Sequence, residues 1–265
     1  MADQGMENVV EVKGLCTCFG KIWVHRDLDL NVSRGEVLGV IGGSGSGKTV
    51  LMLQIIGLLK PYAGNVQVLG EKIHQLKGMD GRRLRRRWGV LFQRGALFSA
   101  FNVFDNIAFP LRELRKDGEQ IEEQSIYELV HLKLNMVGLK HEDAWKYPSE
   151  LSGGMLKRAA FARALALEVE LLFLDEPGTG LDPISAADLD TLFIELRQQL
   201  KLSALLITHD LNTLATVCDR VALLDDGRVL TIGTLQEVAQ FDHPYVRRFF
   251  HHRRGEEILR SLPSY

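Results

Sequence analysis

The sequence predicts an α/β fold with a mainly parallel sheet, an N-terminal antiparallel β-subdomain and an inserted helical subdomain. Three observations predict it. Apolar runs alternate with helical spacing from residue 36 onward, a glycine-rich loop joins one run to a helix, and strand signals vanish between about residues 94 and 165. With 265 residues, of which 46% are hydrophobic, the chain is long enough to bury a sizeable core.

The first elements are short strands, followed by a strand, a loop and a helix. Three β-like runs are broken by Gly14 and Gly20, which is typical of a small antiparallel sheet. An apolar run at residues 36–41 ends in glycines, and residues 47–59 follow with helical spacing. The three β-like runs are residues 9–12, 22–24 and 28–32.

Four later strand candidates alternate with helical stretches, which favours parallel strands joined by helices. Asp226 and Gly227 predict a hairpin turn between the last candidate and residues 228–232. The four candidates are residues 89–92, 171–174, 204–208 and 221–224.

We expect one domain over residues 1–242, with the helical subdomain at about residues 94–165 inserted within it. Residues 243–265 are richer in Arg and His than the rest of the chain. We interpret them as a C-terminal tail and a candidate partner-binding arm.

Composition argues against several classes of protein. The net charge of −2 provides no overall field that favours nucleic acid as a partner. Residues 1–12 are acidic and lack the apolar region of a secretory signal, so we expect no export. The most apolar stretch, residues 165–174, contains Glu168 and Glu170 and falls short of the ~20 apolar residues that span a bilayer. Three cysteines without a metal or disulfide framework fit a cytoplasmic chain.

A glycine-rich loop matches the spacing of a phosphate-binding P-loop. In this motif backbone N–H groups wrap the phosphates of ATP, and the helix that follows adds a favourable dipole. Lys48 is placed to reach the β- and γ-phosphates, and the Thr49 hydroxyl to ligate Mg²⁺. The candidate ATP-binding residues of this loop are Gly42, Gly43, Ser44, Gly45, Ser46, Gly47, Lys48 and Thr49.

Two adjacent acids, Asp175 and Glu176, follow the apolar run at residues 171–174. A carboxylate at the C-terminal end of a strand in such a sheet lies beside the P-loop. Asp175 is expected to hold Mg²⁺, and Glu176 to orient and polarise the attacking water. The pair therefore favours ATP hydrolysis over passive nucleotide binding.

The string Leu-Ser-Gly-Gly-Met at residues 151–155 lies between these two motifs in the sequence, and an AxARAL pattern follows at residues 160–165. Together they resemble the signature of the ABC ATPase family. The resemblance covers nearly the whole chain and implies a P-loop NTPase fold of the ABC nucleotide-binding type. It also implies that Ser152, Gly153 and Gly154 bind the γ-phosphate of ATP held by the opposite subunit. With one P-loop and one signature, the chain is expected to pair with a second copy of itself.

Four further positions resemble family sites, and three of them, Gln93, Asp182 and His209, follow one another along the chain in the family's order. The resemblance implies that Gln93 senses Mg²⁺ or the attacking water and couples to the transport partner. It implies that Asp182 acts across the dimer interface and that His209 contacts the γ-phosphate. Phe19 stands where the family keeps an aromatic residue that stacks on adenine, although Phe19 taken alone is more simply a core residue.

Residues 91–113 include the surface next to Gln93 that meets the membrane partner in this family. They closely resemble the ATPase of Mla-type, Mce-associated phospholipid transporters, which maintain outer-membrane lipid asymmetry in Gram-negative bacteria. The resemblance implies an ATPase and translocase on the cytoplasmic face of the inner membrane, held peripherally by an integral-membrane permease dimer. It further implies a periplasmic lipid-binding Mce-domain ring and a small cytoplasmic STAS-domain protein as partners. The phenylalanines of this stretch also fit packing within the helical subdomain.

Two basic clusters allow other partners. The cluster at residues 82–87 favours a solvated helix face over a nucleic-acid site, because no aromatic residues are interleaved with it. The tail fits an arm on the neighbouring ATPase, a contact with another subunit, or an anionic lipid surface. Its basic residues are Arg247, Arg248, His251, His252, Arg253 and Arg254.

Three functions stay open. The first is a phospholipid-transport ATPase, and the second is the ATPase of another ABC system, such as lipoprotein release or a small-molecule importer. The third, a soluble ABC protein acting on ribosomes or DNA, is disfavoured because the chain has one ATPase domain and neither a long coiled-coil nor a zinc insertion. The first two differ in their partners, and residues 91–113 discriminate between them.

Overall fold

The computed structural model describes residues 7–251 and 253–261. The chain divides into two compact units: unit 1 is Met1–Gly81 with Ser203–Tyr265, and unit 2 is Arg82–Leu202. The strands are β1 Asn8–Phe19, β2 Ile22–Ser33, β3 Val37–Ile41, β4 Ala63–Val68, β5 Glu71–Lys72, β6 Trp88–Leu91, β7 Leu171–Asp175, β8 Ser203–Ile207, β9 Arg220–Asp225 and β10 Arg228–Gly233. The α-helices are α1 Lys48–Ile55, α2 Gly78–Arg85, α3 Val103–Lys116, α4 Glu123–Met136, α5 Gly153–Ala164, α6 Pro183–Leu200, α7 Leu211–Val217, α8 Leu235–Ala239, α9 Pro244–Phe250 and α10 Arg253–Ser261. Two 3₁₀ helices, His141–Trp145 and Pro148–Glu150, precede α5.

The antiparallel sheet of unit 1 has the strand order β2-β1-β4-β5. The sequence predicts short strands broken at Gly14, whereas β1 and β2 are each 12 residues long. Gly14 and Asp27 adopt left-handed backbone conformations, with φ of 60° and 52°, and the register of the β1–β2 pair shifts between Val12 and Leu15. The strands therefore bulge at Gly14 and continue past it.

The core sheet of unit 1 is centred on β3, which pairs in parallel with β8 and with β9. Every residue of β3 and β8 is buried, as expected of parallel strands covered on both faces. Asp226 and Gly227 have φ of 46° and 70° and join β9 to the antiparallel β10. Positive φ at both positions is the requirement of a type I′ turn, so the predicted hairpin is confirmed.

Helix α1 ends at Ile55, four residues before the predicted end of the helical pattern. Gly57 adopts a left-handed conformation with φ 77°. The Gly57 N–H donates to Gln54 O at 3.2 Å, and the Leu58 N–H donates to Leu53 O at 2.9 Å. These two bonds form a Schellman motif, which closes the helix.

The C-terminal helices α9 and α10 pack against the rest of unit 1. Val246 and Phe250 of α9 are fully buried in a hydrophobic cluster with Leu214 and Val238, and Ile258 of α10 packs against the same cluster. His252, one of the basic tail residues, lies outside the described residues.

Unit 2 combines two parallel strands with helices. Strands β6 and β7 pair in parallel, with Leu91 opposite Leu174, and Trp88 meets Phe173 edge to face at 6.2 Å between ring centroids. The stretch predicted to be helical contains α3, α4 and α5. Of the helices in the described part of the chain, none combines the length and the apolar character needed to cross a membrane.

The basic cluster at residues 82–87 forms ion pairs within unit 2. Arg82 pairs with Asp117 at 2.8 Å, and Arg86 pairs with Glu119 at 2.6 Å. A further basic side chain of the cluster, Arg87, pairs with a glutamate at 2.6 Å. These acidic partners favour the interpretation of a charged helix face.

A buried asparagine holds the segment between β6 and α3. Asn106 is fully buried, and its Oδ1 accepts from the Phe98 N–H at 2.7 Å. Its Nδ2 donates to the carbonyl oxygens of Phe98, Phe101 and Asn102 at 2.9–3.1 Å. One amide thus satisfies four backbone groups of a segment that lacks regular hydrogen bonding.

We expect Asn106→Leu to lower the free energy of unfolding by about 3 kcal/mol, because buried backbone groups lose their partners. Urea denaturation measures this value. Asn102→Ala is the matched control: it removes the α3 N-cap, whose side chain accepts from the Asp105 N–H at 2.7 Å, and is expected to cost about 1 kcal/mol. Equal losses in the two variants contradict the role given to Asn106.

Candidate functional site

The glycine-rich loop at residues 42–49, called here the phosphate loop, follows β3 and leads into α1. Gly42 has φ 156°, and a Cβ at this position would lie 2.1 Å from the carbonyl oxygen of Leu224. Gly47 has φ 97°, and a Cβ there would lie 2.5 Å from His25 Nε2. Only glycine fits at either position.

The Lys48 ammonium group lies over the phosphate loop. Its Nζ donates to the carbonyl oxygens of Gly42 and Gly43 at 2.9 Å each, and it lies 3.4 Å from Ser46 Oγ. Among the described residues, and apart from the adjacent residues in the chain, no heavy atom comes within 4 Å of a Cβ built on Gly43 or Gly45, so the loop is open on this side. An ammonium group, an open glycine backbone and a helix N-terminus together suit a phosphate anion.

Two more predicted site residues belong to unit 1. Val40 of β3 pairs with Ile207 of β8 in parallel, so the two strands end at the same edge of the sheet. His209 follows β8 and is exposed at this edge, where the phosphate loop follows β3. Phe19 is the last residue of β1 and is 48% exposed, which argues against the alternative that it is a core residue.

The acidic pair lies at the end of β7 in unit 2. Asp175 is the last residue of the strand and is 6% exposed. Glu176 has φ 51°, a left-handed conformation that is strained for a residue with a side chain. The Thr179 hydroxyl donates to Glu176 Oε2 at 3.0 Å and helps to orient the carboxylate.

Gln93 lies near this acidic pair in the topology of unit 2. It follows β6, which pairs in parallel with β7, so Gln93 and Asp175 are at the same edge. Gln93 is exposed, and its backbone carbonyl oxygen accepts a hydrogen bond from Lys157 Nζ. The backbone of Gln93 is therefore tied to helix α5.

Lys157 is a candidate site residue that the sequence analysis missed. It is 4% exposed, and burial lowers the pKa of its ammonium group, whereas the negative charges of Glu176 and Asp175 oppose this shift. One signal was available in the sequence: Lys157 shares a helical face with Ala160, Phe161 and Ala164, which are all buried. A lysine on an apolar face requires a partner, and the Gln93 carbonyl and the two carboxylates fill that role.

The signature residues begin helix α5. Ser152 is the N-cap, and its Oγ accepts from the Met155 N–H at 3.3 Å. A Cβ on Gly153 would lie 3.2 Å from Leu181 Cδ2, which places the start of α5 beside the segment that precedes α6. A cavity of about 530 Å³ lies here, lined by Ser152, Gly154, Met155, Arg158, Leu181 and Ser185 among others.

Asp182 caps helix α6. Its Oδ1 accepts from the Ile184 N–H at 3.1 Å and the Ser185 N–H at 3.0 Å, and its Oδ2 accepts from Ser185 Oγ at 2.6 Å. Hydrogen bonds from the Ser185 side chain, and then from its backbone, lower the pKa of this exposed carboxyl. Asp182 is therefore an anion with a fixed orientation.

The predicted site residues fall into two groups. Unit 1 carries the phosphate loop, Phe19 and His209, and unit 2 carries the signature, the acidic pair, Gln93 and Asp182. The three oxygen donors expected to hold Mg²⁺ are divided between the units: Thr49 belongs to unit 1, and Gln93 and Asp175 belong to unit 2. A hydroxyl, an amide oxygen and a carboxylate are oxygen ligands of the kind that Mg²⁺ takes.

Relatives of known name are similar to this chain over most of its length. The intermembrane phospholipid transport system ATP-binding protein MlaF of Haemophilus influenzae is 38% identical over 88% of this chain and 87% of its own. MlaF of Escherichia coli (strain K12) is 36% identical over 93% of this chain and 90% of its own. The probable ribonucleotide transport ATP-binding protein mkl of Mycobacterium leprae is 39% identical over 92% of this chain and 69% of its own.

Solved structures have the same fold. The dimeric ATP-binding cassette MJ0796, in a post-hydrolysis state bound to ADP and Pi, matches with a TM-score of 0.77 and 27% identity over 85% of this chain and 98% of its own. CbiO1 of Clostridium perfringens, part of the ABC transporter complex cbiONQ, matches with a TM-score of 0.77 and 28% identity over 95% of this chain and 98% of its own. The ABC transporter family model matches residues 25–179. The chain therefore belongs to the ABC transporter family.

Proposed function

We propose that this chain is the ATP-hydrolysing subunit of a transporter that moves phospholipid between the inner and outer membranes and so maintains outer-membrane lipid asymmetry. The observation that carries the ATPase activity is the phosphate loop with Lys48 over its glycines. The same chain has a buried strand that ends in Asp175 and is followed at once by Glu176. The cargo is inferred from the two MlaF relatives, which align over most of both chains.

The phosphate loop binds the nucleotide in this proposal. Its N–H groups and Lys48 neutralise the phosphates, and Phe19, exposed at the end of β1, stacks on adenine. Thr49, Asp175 and Gln93 are the residues that would hold Mg²⁺. When bound, Mg²⁺ supplies charge neutralisation at the β- and γ-phosphates.

Hydrolysis requires a water molecule held in line with the γ-phosphate. Glu176 is the residue we assign to this water, because its carboxylate is fixed by Thr179 and its backbone is held in a strained conformation. His209, exposed at the edge where β8 ends, contacts the γ-phosphate. Lys157 of α5 donates to the backbone of Gln93. This bond links Gln93, which is proposed to couple to the permease, to the helix that begins with the signature.

Two copies of the chain complete the site in this proposal. Ser152, Gly153 and Gly154 begin a helix of 12 residues whose N-terminus suits a γ-phosphate supplied by the second copy. Asp182, with its fixed orientation, acts across the same interface. Support comes from MJ0796, whose cassettes are solved as dimers.

The remaining partners follow from the proposed cargo. A permease dimer holds the chain at the cytoplasmic face of the inner membrane, and a periplasmic Mce-domain ring and a cytoplasmic STAS-domain protein complete the complex. The contact surface for the permease is a phenylalanine cluster made of Phe98, Phe101 and Phe109, whose ring centroids lie 5.0–6.2 Å apart. Phe98 is 44% exposed and Phe101 is 37% exposed, which suits aromatic residues of an interface. The tail at residues 243–265 is proposed to contact the neighbouring ATPase through exposed residues such as Arg247 and Arg248, while Val246 and Phe250 are buried within unit 1.

A second cargo has a specific observation in its favour. The mkl relative is named a probable ribonucleotide transport ATP-binding protein, and it is as similar to this chain as the MlaF relatives are. The two proposals share the ATPase mechanism and differ in the permease and the transported molecule.

We expect Lys48→Ala to reduce ATP hydrolysis at least about 100-fold and to weaken nucleotide binding, because it removes the ammonium group that meets the phosphates.

Glu176→Gln is expected to reduce hydrolysis to the same degree as Lys48→Ala, yet to keep ATP affinity and to trap the paired state. Phosphate release, nucleotide binding and size-exclusion chromatography measure these effects. Glu195→Gln, the same change at an exposed residue of α6, serves as the control with normal turnover. Turnover of the Glu176→Gln chain at the normal rate contradicts the assignment.

Replacement of Phe98 and Phe101 by serine is expected to leave nucleotide binding unchanged and to prevent co-purification with the permease. The control is Tyr62→Ser, a change at an aromatic residue of unit 1 that is 73% exposed. Recovery of the permease with the double variant at the normal yield argues against this contact surface.

The cargo is tested by purifying the full chain from detergent-solubilised membranes and identifying the proteins and phospholipid that accompany it. Recovery of a permease, a Mce-domain subunit and a STAS-domain protein supports phospholipid transport. A different permease without a Mce-domain subunit keeps the ATPase mechanism and contradicts the proposed cargo.

A further inference from the structure

A row of buried polar side chains lies behind the phosphate loop in unit 1. His25 of β2 and Gln54 of α1 are fully buried, and Thr17 of β1 is 2% exposed. Thr17 Oγ1 lies 2.8 Å from His25 Nδ1 and 2.9 Å from Gln54 Oε1. On the opposite side of the ring, His25 Nε2 lies 3.2 Å from the carbonyl oxygen of Gly47. The row therefore connects the first two strands to the last glycine of the phosphate loop.

The Gly47 contact fixes the proton on His25. A carbonyl oxygen only accepts hydrogen bonds, so Nε2 carries the proton. Burial lowers the pKa of His25, and the hydrogen bond to Gly47 only partly opposes this shift, so the ring is neutral at pH 7. In a neutral ring protonated at Nε2, Nδ1 is an acceptor and requires a donor.

Thr17 supplies that donor only if the Gln54 amide is reoriented. The Thr17 hydroxyl has one proton, and it lies between two acceptors, His25 Nδ1 and Gln54 Oε1. Gln54 Nε2 is buried and has no hydrogen-bond partner among the described residues. Exchange of the two amide atoms by a half-turn gives this nitrogen a partner in Thr17 Oγ1 and frees the hydroxyl proton for Nδ1. The donors then run in one direction, from Gln54 through Thr17 and His25 to Gly47.

We propose that His25, as the neutral ring protonated at Nε2, is a positioning residue that holds the Gly47 peptide of the phosphate loop. This inference rests on the proposed ATPase function. The Gly47 carbonyl accepts from His25 and from the Leu51 N–H, which lies 2.8 Å away. In a trans peptide the N–H points opposite to the carbonyl, so the Lys48 N–H is directed away from His25. This N–H belongs to the set that wraps the phosphates, and His25 and the Leu51 N–H together hold its direction before nucleotide binds.

The tight fit around Gly47 makes the contact specific. A Cβ on Gly47 would lie 2.5 Å from His25 Nε2 and 2.8 Å from Val24 Cγ1, so no space separates β2 from the loop. An apolar residue at position 25 fills the same volume but leaves the Gly47 carbonyl with one hydrogen bond. The role of His25 is therefore separable from simple packing.

The test compares two variants of the full chain. His25→Leu keeps the apolar bulk and removes the donor, and it is expected to raise the Kd for N-methylanthraniloyl-ATP about fivefold, the equivalent of one hydrogen bond. His25→Gln places an amide N–H at similar reach and is expected to bind this probe within about twofold of the wild type. The control is His131→Leu, the same change at a buried histidine of unit 2, which is expected to leave the Kd unchanged.

A measurement on the unmodified chain covers the case in which a variant does not fold. Nitrogen-15 NMR of histidine-labelled protein distinguishes the two neutral forms of the ring and the charged form, and we expect His25 to be protonated at Nε2 alone. A His25 signal from the other neutral form or from the charged ring overturns the proposal. Equal ATP-probe affinity of His25→Leu and the wild type also overturns it. If the wild type itself does not bind the ATP probe, the proposed function fails instead.

Discussion

The close approach of neighbouring strands to the phosphate loop is the constraint on which the rest of the site depends. The carbonyl oxygen of Leu224 in β9 lies 2.1 Å from the position of a Cβ on Gly42, and His25 Nε2 of β2 lies 2.5 Å from the position of a Cβ on Gly47. The two ends of the loop are thus held by different sheets of unit 1.

The glycines of the phosphate loop are required because only backbone, and no side chain, fits between these contacts. The N–H groups between the two ends then remain free of side-chain bulk on the side where Gly43 and Gly45 are open. A loop fixed in this way binds phosphate without reordering its backbone, which removes an entropic cost of about 1–2 kcal/mol per residue.

In unit 2 a buried charged side chain holds neighbouring elements together. Lys157 is removed from water by its place on the apolar face of α5, and its hydrogen bond to the Gln93 carbonyl and the nearby carboxylates of Asp175 and Glu176 offset that burial. One lysine therefore joins the signature helix, the segment after β6 and the acidic strand end. A change in any of these three elements alters the surroundings of the other two. This arrangement gives the proposed coupling between permease, signature and hydrolysis a physical basis within a single unit.

Much of the fold and of the site could be predicted from local patterns. The phosphate loop, the acidic pair and the Asp226–Gly227 turn each consist of consecutive residues of characteristic type, so the sequence alone identifies them. The bulge of β1 at Gly14 was not predictable, because the same glycine is compatible with a turn and only the register with β2 decides between them. His25 and Lys157 could not be assigned for a related reason. Their partners lie at Gly47 and Gln93, 22 and 64 positions away in the sequence, and no local pattern reports such contacts.

In the proposed function, ATP is hydrolysed between two copies of this chain. The most direct test measures the hydrolysis rate per chain as the purified chain is diluted at saturating ATP and Mg²⁺. If each site requires the signature of a second copy, the rate per chain falls in proportion to chain concentration once pairing is incomplete. A rate per chain that stays constant through dilution to the monomer, as verified by light scattering on the same samples, contradicts hydrolysis between two copies.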